Sequence, residues 1–371
     1  MRFWHEQCGS SVPRVVRNPT PGEFATDPDL EAVLPFHRKL PDYTPTPLAA
    51  APGIAAKLGM QRVWVKDESS RLGLPAYKIL GASWATYRAL EQRYGEFAAW
   101  ESLEDLARQL YPDKRLELVT ASEGNHGRAV ARMARWLGLS ANILLPRSAA
   151  PARVERIRDE RARVTMIDGT YDDAVRAAAR LESDRSLVIS DTGWEGYERV
   201  PKWVVDGYST LFREVDAQLS TAGEQRPDVV AVQMGVGSLA AAVVRHYRRP
   251  GLGARVIGVE PEAAACVLES VRAGRLVDVA GPFDPIMGPL NCGRPSLVAW
   301  PFLKNGLSAC VSIPTSRAEE AVGELVADGI ASSPCGAAGL AGLVEHAGEL
   351  ELGAASRVLV ISTEGPAAAG H

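Results

Sequence analysis

The sequence has few cysteines, few histidines and no long apolar run. Its five cysteines stand far apart without a C-x-x-C pair, which argues against a disulfide scaffold and a zinc knuckle. Its six histidines show no H-E-x-x-H spacing, so we predict no catalytic metal. No apolar segment approaches the ~20 residues that a membrane-spanning helix needs.

Neither sign of charge predominates. With 41 basic and 45 acidic side chains the formal net charge is −4, which leaves no basic field for nucleic acid or anionic lipid. Arg2, His5 and Glu6 stand where a signal peptide needs an unbroken apolar core. We therefore expect a cytoplasmic protein that acts on a small molecule. Its 371 residues, 46% of them hydrophobic, are enough for two domains.

Short β-branched runs alternate with alanine-rich segments of helical periodicity, which predicts an α/β fold with mostly parallel sheets. The predicted strands are Arg62–Lys66, Leu116–Thr120, Ala141–Leu145, Val164–Ile167, Ser186–Ser190, Val229–Gln233, Val256–Val259 and Val358–Ser362. The predicted helices are Gly81–Gln92, His126–Leu137, Tyr171–Glu182, Leu239–Arg248 and Ser316–Asp328. The polar connections at 168–198 and 218–227 are predicted crossing points between domains.

One lysine has an unusual setting. Lys78 stands between hydrophobic neighbours in A-Y-K-I-L-G-A, just ahead of a predicted glycine turn. An apolar environment disfavours the charged amine, so we expect the pKa of Lys78 to be lowered. A neutral amine attacks carbonyls, which makes Lys78 the candidate to hold an aldehyde cofactor as a Schiff base.

The S-E-G-N-H-G segment, 122–127, lies between a predicted strand and a predicted helix. Amides at such a helix start can bind a carboxylate. The negative charge of Glu123 is unexpected beside a carboxylate site. Glu123 is either a functional acid or an ordinary acid at a helix start, where it interacts favourably with the helix dipole.

A glycine loop at Gly235–Ser238 also joins a predicted strand to a predicted helix. Free amides and the positive end of a helix dipole make such a loop a phosphate site. The spacing Gly235-x-Gly237-x-x-Ala240, followed by Glu260, also fits a dinucleotide fingerprint, so an NAD-dependent oxidoreductase stays open. A third interpretation is that these glycines only turn the strand into the helix.

Six segments in order resemble the fold-type II pyridoxal-phosphate enzymes related to tryptophan synthase β and threonine dehydratase. They are Y-K-I-L-G-A around Lys78, S-E-G-N-H-G, G-V-G-S, M-G-P-L-N-C-G (287–293), S-P-C-G-A-A-G (333–339) and V-I-S-T-E-G (360–365). Within this family the chain is most similar to the diaminopropionate ammonia-lyases, through D-G-T-Y-D-D-A (168–174), D-T-G-W-E-G-Y-E (191–198), Q-M-G-V-G-S-L-A (233–240) and L-N-C-G (290–293). The resemblance covers about Pro45 to Gly365.

The resemblance implies pyridoxal 5′-phosphate as cofactor and a role for each matching residue. Lys78 carries the cofactor, Asn125 bonds its phenolic oxygen, and Ser362 faces its pyridine nitrogen, with Thr363 as the alternative. The implied phosphate-binding residues are Gly235, Val236, Gly237, Ser238 and Leu239. The implied substrate-binding residues are Ser122, Glu123, Gly124 and His126.

Two acids are implied to remove the substrate's α-proton from opposite faces, one for each enantiomer. They are Asp191 and Glu123, where the ammonia-lyases have an aspartate. This chain departs from the family pattern at two positions. Glu123 has an additional methylene, and Pro366 stands where the family's T-E-G-D segment has its aspartate. The resemblance also places Cys266 and Cys292 near the substrate mouth, where we predict a reversible disulfide.

The function implied is a carbon–nitrogen lyase that converts 2,3-diaminopropionate to pyruvate and ammonia. The alternatives are β-replacement or serine/threonine-type deamination, the oxidoreductase, and a catalytically silent binding protein. The family leads us to expect a homodimer and two domains. We predict a large cofactor-binding domain of residues 1–85 and 205–371 and a small domain of residues 86–204.

Overall fold

A computed structural model describes residues 5–6, 15–110, 115–122 and 124–366. Contacts divide the chain into two compact units. Among the described residues, the first unit contains those numbered up to 28, Pro45–Ser70 and 211–366, and the second contains Asp29–Thr44 and Arg71–Thr210. Glu123 lies outside the described residues. Residues 367–370, which the sequence predicts to be loose, also lie outside them.

Twelve strands occur in the described part of the chain. They are β1 (His5–Glu6), β2 (Val15–Arg17), β3 (Leu48–Ala50), β4 (Arg62–Asp67), β5 (Glu117–Ala121), β6 (Ser140–Pro146), β7 (Arg163–Ile167), β8 (Ser186–Val188), β9 (Val229–Gln233), β10 (Arg255–Pro261), β11 (Ala309–Ile313) and β12 (Arg357–Ser362).

Fourteen α-helices occur in the same residues. They are α1 (Val33–His37), α2 (Pro52–Leu58), α3 (Lys78–Tyr94), α4 (Leu103–Gln109), α5 (Asn125–Leu137), α6 (Pro151–Arg158), α7 (Tyr171–Ala179), α8 (Arg199–Gly207), α9 (Ser209–Thr221), α10 (Ser238–Tyr247), α11 (Cys266–Ala273), α12 (Trp300–Gly306), α13 (Thr315–Ala327) and α14 (Pro334–His346). None of the described helices is both long and apolar enough to cross a membrane.

The first unit contains an eight-stranded sheet in the order β1-β2-β11-β10-β9-β12-β4-β3. The five strands from β11 to β4 are parallel, while the pairs β3–β4 at one edge and β11–β2 and β2–β1 at the other are antiparallel. Helix α14 packs against this sheet through close-fitting residues such as Gly342, whose added Cβ would lie 2.5 Å from a methyl of Val259. The parallel centre is buried on both faces, so its strands are continuous apolar runs.

The second unit contains a four-stranded parallel sheet in the order β7-β6-β5-β8. Its core includes Val119, Leu144, Ala174 and Val188. Helix α7 begins with a capping box in which Thr170 and Asp173 satisfy each other's backbone amides, a signal that is visible in the sequence as T-Y-D-D. The α/β fold with parallel sheets that the sequence predicts is therefore confirmed.

The predicted strands and helices are all present, with ends that differ by up to three residues. The sequence also predicts a turn at Gly81, and this is wrong, because Gly81 lies inside α3. Since α3 runs unbroken from Lys78 to Tyr94, residues 71–85 group with the second unit rather than with the predicted large domain. Among the described residues, the chain passes from one unit to the other at 28/29, 44/45, 70/71 and 210/211, and not within the predicted 168–198 or 218–227.

Candidate active site

An ion pair joins Lys78 to Asp191 within the second unit. Lys78 is the first residue of α3, and its Nζ lies 2.6 Å from Oδ2 of Asp191. Asp191 lies in the segment between β8 and α8. The side chains are 20% and 7% exposed, respectively, so water screens the pair only weakly. Two residues that the sequence singles out separately are thus in direct contact.

The ion pair reverses the expected pKa shift of Lys78. Burial favours the neutral amine, as the sequence predicts, but Asp191 together with Tyr208 and Tyr77 outweighs it, and the pKa of Lys78 is raised well above its ordinary value. Burial likewise opposes ionisation of Asp191, yet the Lys78 ammonium holds the pKa of this carboxyl well below its usual range. The prediction of a lowered lysine pKa is therefore wrong for this arrangement, because its charged partner is remote in sequence.

Two tyrosines surround the amine of Lys78. Its Nζ lies 5.5 Å from the ring centroid of Tyr77, and that ring lies 4.8 Å from the ring of Tyr208. Gly81 provides space for Tyr208, since a Cβ on Gly81 would lie 2.6 Å from the tyrosine ring. The glycine that the sequence assigns to a turn therefore acts in packing, and neither tyrosine is among the predicted site residues.

Asp191 has two further neighbours. The hydroxyl of Tyr171 donates to Oδ1 of Asp191 at 3.3 Å, and Nδ1 of His126 lies 3.9 Å from Oδ2. Nε2 of His126 lies 2.8 Å from the carbonyl oxygen of Ile189 and donates a hydrogen bond to it. Nδ1 therefore carries a lone pair, and it is buried without a hydrogen-bond partner among the described residues. Burial lowers the pKa of His126, so the ring is neutral.

The start of α5 is organised by Ser122. Its Oγ accepts hydrogen bonds from the amides of Gly124 and Gly127, each at 2.8 Å. Gly127 must be small, because an added Cβ would lie 2.4 Å from a methyl of Ile143. Ser122 is 2% exposed, so its hydroxyl shapes the turn that precedes Asn125 and His126. The predicted acid Glu123 lies outside the described residues.

In the first unit, the loop Gly235–Ser238 leads from β9 into α10. Gly237 is the N-cap of α10 and has φ +91°, a backbone conformation that residues other than glycine rarely adopt. Gly237 has no side chain with which to cap this helix, so the N-cap residue itself does not satisfy the amides of the first turn. A Cβ on Gly237 would also lie 2.4 Å from a methyl of Leu303. The loop thus has the form of an anion cradle.

At the end of β12, Ser362 is fully buried and its Oγ lies 2.8 Å from Oγ of Ser332. The neighbouring Thr363 hydroxyl accepts from Nε2 of Gln233 at 2.7 Å. This Nε2 also lies 3.0 Å from three backbone carbonyls, including that of Ile361. The partner of Ser362 is the Ser332 hydroxyl, which can rotate, whereas the partner of Thr363 is the side-chain amide of Gln233, which fixes the Thr363 hydroxyl as an acceptor.

Glu260 does not have the role that a dinucleotide fingerprint requires. Its two carboxyl oxygens accept from the amides of Val267 at 2.8 Å and Leu268 at 2.7 Å, so it caps α11. The residue is fully buried, and burial raises its pKa to about 8. A carboxyl enclosed in this way cannot reach a ribose hydroxyl, which removes the residue on which the oxidoreductase alternative depends.

Cys266 and Cys292 are free buried thiols near Gly235. Sγ of Cys266 donates weakly to the carbonyl of Gly235 at 3.8 Å, and Sγ of Cys292 lies 3.0 Å from where a Cβ on Gly235 would stand. Burial raises the pKa of the Cys266 thiol, which disfavours the reactive thiolate. The disulfide between them stays a prediction.

Comparison with known proteins matches this arrangement to one family. The family model for pyridoxal-phosphate dependent enzymes matches residues 39–364. The chain belongs to this family. Its cofactor is accordingly pyridoxal phosphate, and its fold is that of the fold-type II members.

Individual relatives cover nearly the whole chain. Diaminopropionate ammonia-lyase of Salmonella typhimurium is 35% identical over 359 residues, which cover 90% of this chain and 88% of that protein. The crystal structure of the holo Escherichia coli diaminopropionate ammonia-lyase has a TM-score of 0.86, with 32% identity over 95% of this chain and 93% of that one. The Escherichia coli enzyme in complex with D-serine also has a TM-score of 0.86, with 30% identity over 98% and 95% of the two chains.

The residues of this pyridoxal-phosphate enzyme fit the cofactor. The start of α10 suits a phosphate, because a glycine loop that leads into a helix start presents backbone amides and the positive end of the helix dipole to an anion. Lys78 supplies an amine for the aldehyde, and the orphaned Nδ1 of His126 provides a buried acceptor close to Asp191. Each of these features lies on a segment that the sequence singles out.

Proposed function

We propose that this protein converts 2,3-diaminopropionate and water to pyruvate and two molecules of ammonia. The observation that carries the proposal is the buried contact between Lys78 and Asp191. In this contact a carboxylate lies beside the lysine amine. Relatives similar to this chain are named diaminopropionate ammonia-lyases. Such a pair can hold, accept and return the proton that an elimination removes from the α-carbon.

Lys78 holds the cofactor aldehyde, and the amides of Gly235–Ser238 bind its phosphate. Asn125 would hydrogen-bond the phenolic oxygen of the bound cofactor, and Ser362 would face its pyridine nitrogen. A neutral serine hydroxyl does not enforce protonation of that nitrogen, which suits elimination better than reactions needing a stronger electron sink. When bound, pyridoxal phosphate withdraws electrons from the α-carbon and so acidifies its hydrogen.

Asp191 acts as the base for one substrate enantiomer. Its ionised form is stabilised by Lys78 and by the Tyr171 hydroxyl, so the carboxylate is deprotonated across the neutral range. Glu123 serves the other enantiomer, with a reach one methylene longer than an aspartate. The turn that Ser122 organises, together with Gly124 and the neutral His126, orients the substrate carboxylate, which accepts hydrogen bonds from amides at the start of α5.

The enzyme is further proposed to be a cytoplasmic homodimer. The absence of an excess of basic residues supports a small-molecule substrate rather than nucleic acid or membrane. Sedimentation of the purified protein measures the oligomeric state, and fractionation of the source cells measures its location.

Product analysis tests the reaction. Purified protein loaded with pyridoxal phosphate is incubated with D- or L-2,3-diaminopropionate, and pyruvate and ammonia are quantified. We expect two ammonia per pyruvate, and we expect Lys78→Ala to abolish turnover while Lys202→Ala, which removes another lysine paired with an aspartate, retains it. Borohydride treatment followed by peptide mapping should place the cofactor mass on the peptide that contains Lys78.

Other results would redirect the assignment. Turnover that appears only when a thiol nucleophile is added would mark β-replacement, and turnover of serine or threonine without turnover of either diaminopropionate isomer would mark a deaminase. Cofactor binding without any of these reactions would identify a silent binding protein.

A further inference from the structure

A cavity of about 630 Å³ opens on the second unit. Its lining comes from the middle of α3 and from residues 182–200. Ala89, Leu187, Val188 and Val200 form an apolar wall, and all four are buried. Neither Lys78 nor Asp191 is among the described residues that line it, so this cavity is distinct from the ion pair.

Two charged side chains of the lining are used to build the cavity. Arg93 donates to the carbonyl oxygens of Ser183 and Asp184. Glu182 accepts from the amide of Val188 through Oε2 at 2.7 Å. Because these contacts fix the loop that precedes β8, they hold one wall of the cavity in place.

Two other charges of the lining remain available. Glu198 and Arg199 are adjacent and exposed at the start of α8. Within the described ranges, neither side chain has a hydrogen bond or an ion pair. An acid and a base with no partner therefore stand side by side next to an apolar wall, and each can bind an opposite charge on a ligand.

The balance of charge defines the ligand. The lining carries two arginines and two glutamates, so a simple anion or cation would meet a like charge. An α-amino acid carries a carboxylate and an ammonium on one carbon, which matches the adjacent Arg199 and Glu198. The apolar wall selects an apolar side chain, because burying it there removes its surface from water.

Tyr197 connects the cavity to Asp191. Its ring belongs to the lining and stacks on Trp194 with centroids 4.3 Å apart. Its hydroxyl donates to the carbonyl of Val188 at 2.6 Å and accepts from the amide of Ser190 at 3.2 Å. Ser190 immediately precedes Asp191, so the position of Tyr197 fixes the backbone that leads into the carboxylate.

We propose that this cavity binds an α-amino acid with an apolar side chain through Arg199 and Glu198, and that Tyr197 transmits its occupancy to Asp191. The binding part is independent of the reaction, whereas the transmission rests on the proposed role of Asp191. A ligand that fixes Tyr197 acts on Asp191 of the ion pair. A ligand that contacts Ala89 acts on α3, the helix that begins with Lys78.

Calorimetry of L-leucine with borohydride-reduced holoenzyme tests the binding, because the cofactor can then no longer exchange its amine with the added amino acid. We expect saturable binding that Arg199→Ala and Glu198→Gln each weaken at least ~10-fold, as expected for loss of a charge-assisted contact. Arg180→Ala and Glu195→Gln, exposed residues of the same unit outside the lining, should leave the affinity within ~2-fold, the size of small surface effects. 4-Methylpentanoate, which lacks the ammonium, should bind at least as weakly as leucine binds to Glu198→Gln.

Absence of saturable binding, or equal losses in the two control variants, would overturn the cavity as a site, whatever the enzyme's reaction proves to be.

Transmission is tested by measuring kcat/KM with and without saturating leucine in wild type and in Tyr197→Phe, which retains the ring and loses the hydroxyl. We expect leucine to change kcat/KM in the wild type only, with its affinity for Tyr197→Phe unchanged. An unchanged kcat/KM in the wild type, or the same change in both proteins, would refute the transmission.

Discussion

The Nζ of Lys78 lies 2.6 Å from Oδ2 of Asp191, although 113 positions separate the two residues along the chain. The amine that must be neutral to bind an aldehyde is therefore held as an ammonium by the carboxylate beside it. On the roles proposed for Lys78 and Asp191, we expect any change to Asp191 to affect both proton transfer and the capture of cofactor.

Asp191→Asn should shift the pH dependence of cofactor capture. Removing the carboxylate leaves burial as the main influence on the amine, so the pKa of Lys78 falls. Because the neutral amine is the reactive form, the midpoint for incorporation of pyridoxal phosphate into cofactor-free protein should move to lower pH. Absorbance in the visible region measures it, and Asp206→Asn, which breaks the pair with Lys202, is the control. An unmoved midpoint in Asp191→Asn would show that the ion pair does not control the amine.

Glu123 and Asp191 should divide the work by stereochemistry. Two bases on opposite faces of a planar system each reach only the hydrogen that points toward them. Asp191→Asn and Glu123→Gln should each reduce kcat/KM at least ~100-fold for one enantiomer of 2,3-diaminopropionate and much less for the other. Glu123→Asp should raise activity on the D-isomer by restoring the shorter reach of the family. Equal losses for both isomers in Glu123→Gln would assign Glu123 a binding role.

Gly237→Asp should weaken the affinity for pyridoxal phosphate at least ~10-fold, because it adds a like charge beside a phosphate and blocks its amides. The new side chain would also meet Leu303. Gly251→Asp is the matched control, since Gly251 has φ +81° but has nothing within 4 Å of an added Cβ. Cofactor titration compares the two variants. Equal affinities would mean that backbone strain, and not the phosphate loop, accounts for any loss.

Glu260 should make the first unit less stable as pH rises from 4.5 toward about 8. Its folded-state pKa exceeds its unfolded value, so the unfolded chain releases this proton first and unfolding is favoured over that interval. The full effect is on the order of 5 kcal/mol, since the pKa difference between 4.5 and about 8 is multiplied by about 1.4 kcal/mol per pKa unit. Thermal unfolding against pH measures it. Glu260→Gln should flatten the profile, and the exposed Glu262→Gln should retain the wild-type slope.

Cys266 and Cys292 should form a disulfide only slowly under oxidising conditions. Burial raises the pKa of the Cys266 thiol, which keeps the thiolate population low. Mass spectrometry of unreduced protein detects the link, and the fully buried Cys310 is an internal control that should remain a free thiol. Free thiols at both positions after prolonged oxidation would end this idea.

The sequence predicts local features of this fold well and long-range pairings poorly. The strand Val229–Gln233 is recognised to the residue because its buried β-branched run is continuous, whereas β11 is missed because cysteine and serine interrupt its apolar pattern. The segments around Lys78 and Asp191 are both recognised. Their contact, and the tyrosines beside it, depend on packing between remote segments, which periodicity does not encode.

The position of β12 in its sheet has a consequence for biosynthesis. It is the last described strand along the chain, yet it lies between β9 and β4 in the interior of the eight-stranded sheet. Until residues 357–362 have been synthesised, β4 and β9 each present an unpaired edge to the cell. The nascent chain is therefore exposed to aggregation until this strand is made, and a premature stop just before residue 357 would leave the sheet without the element that joins its two halves.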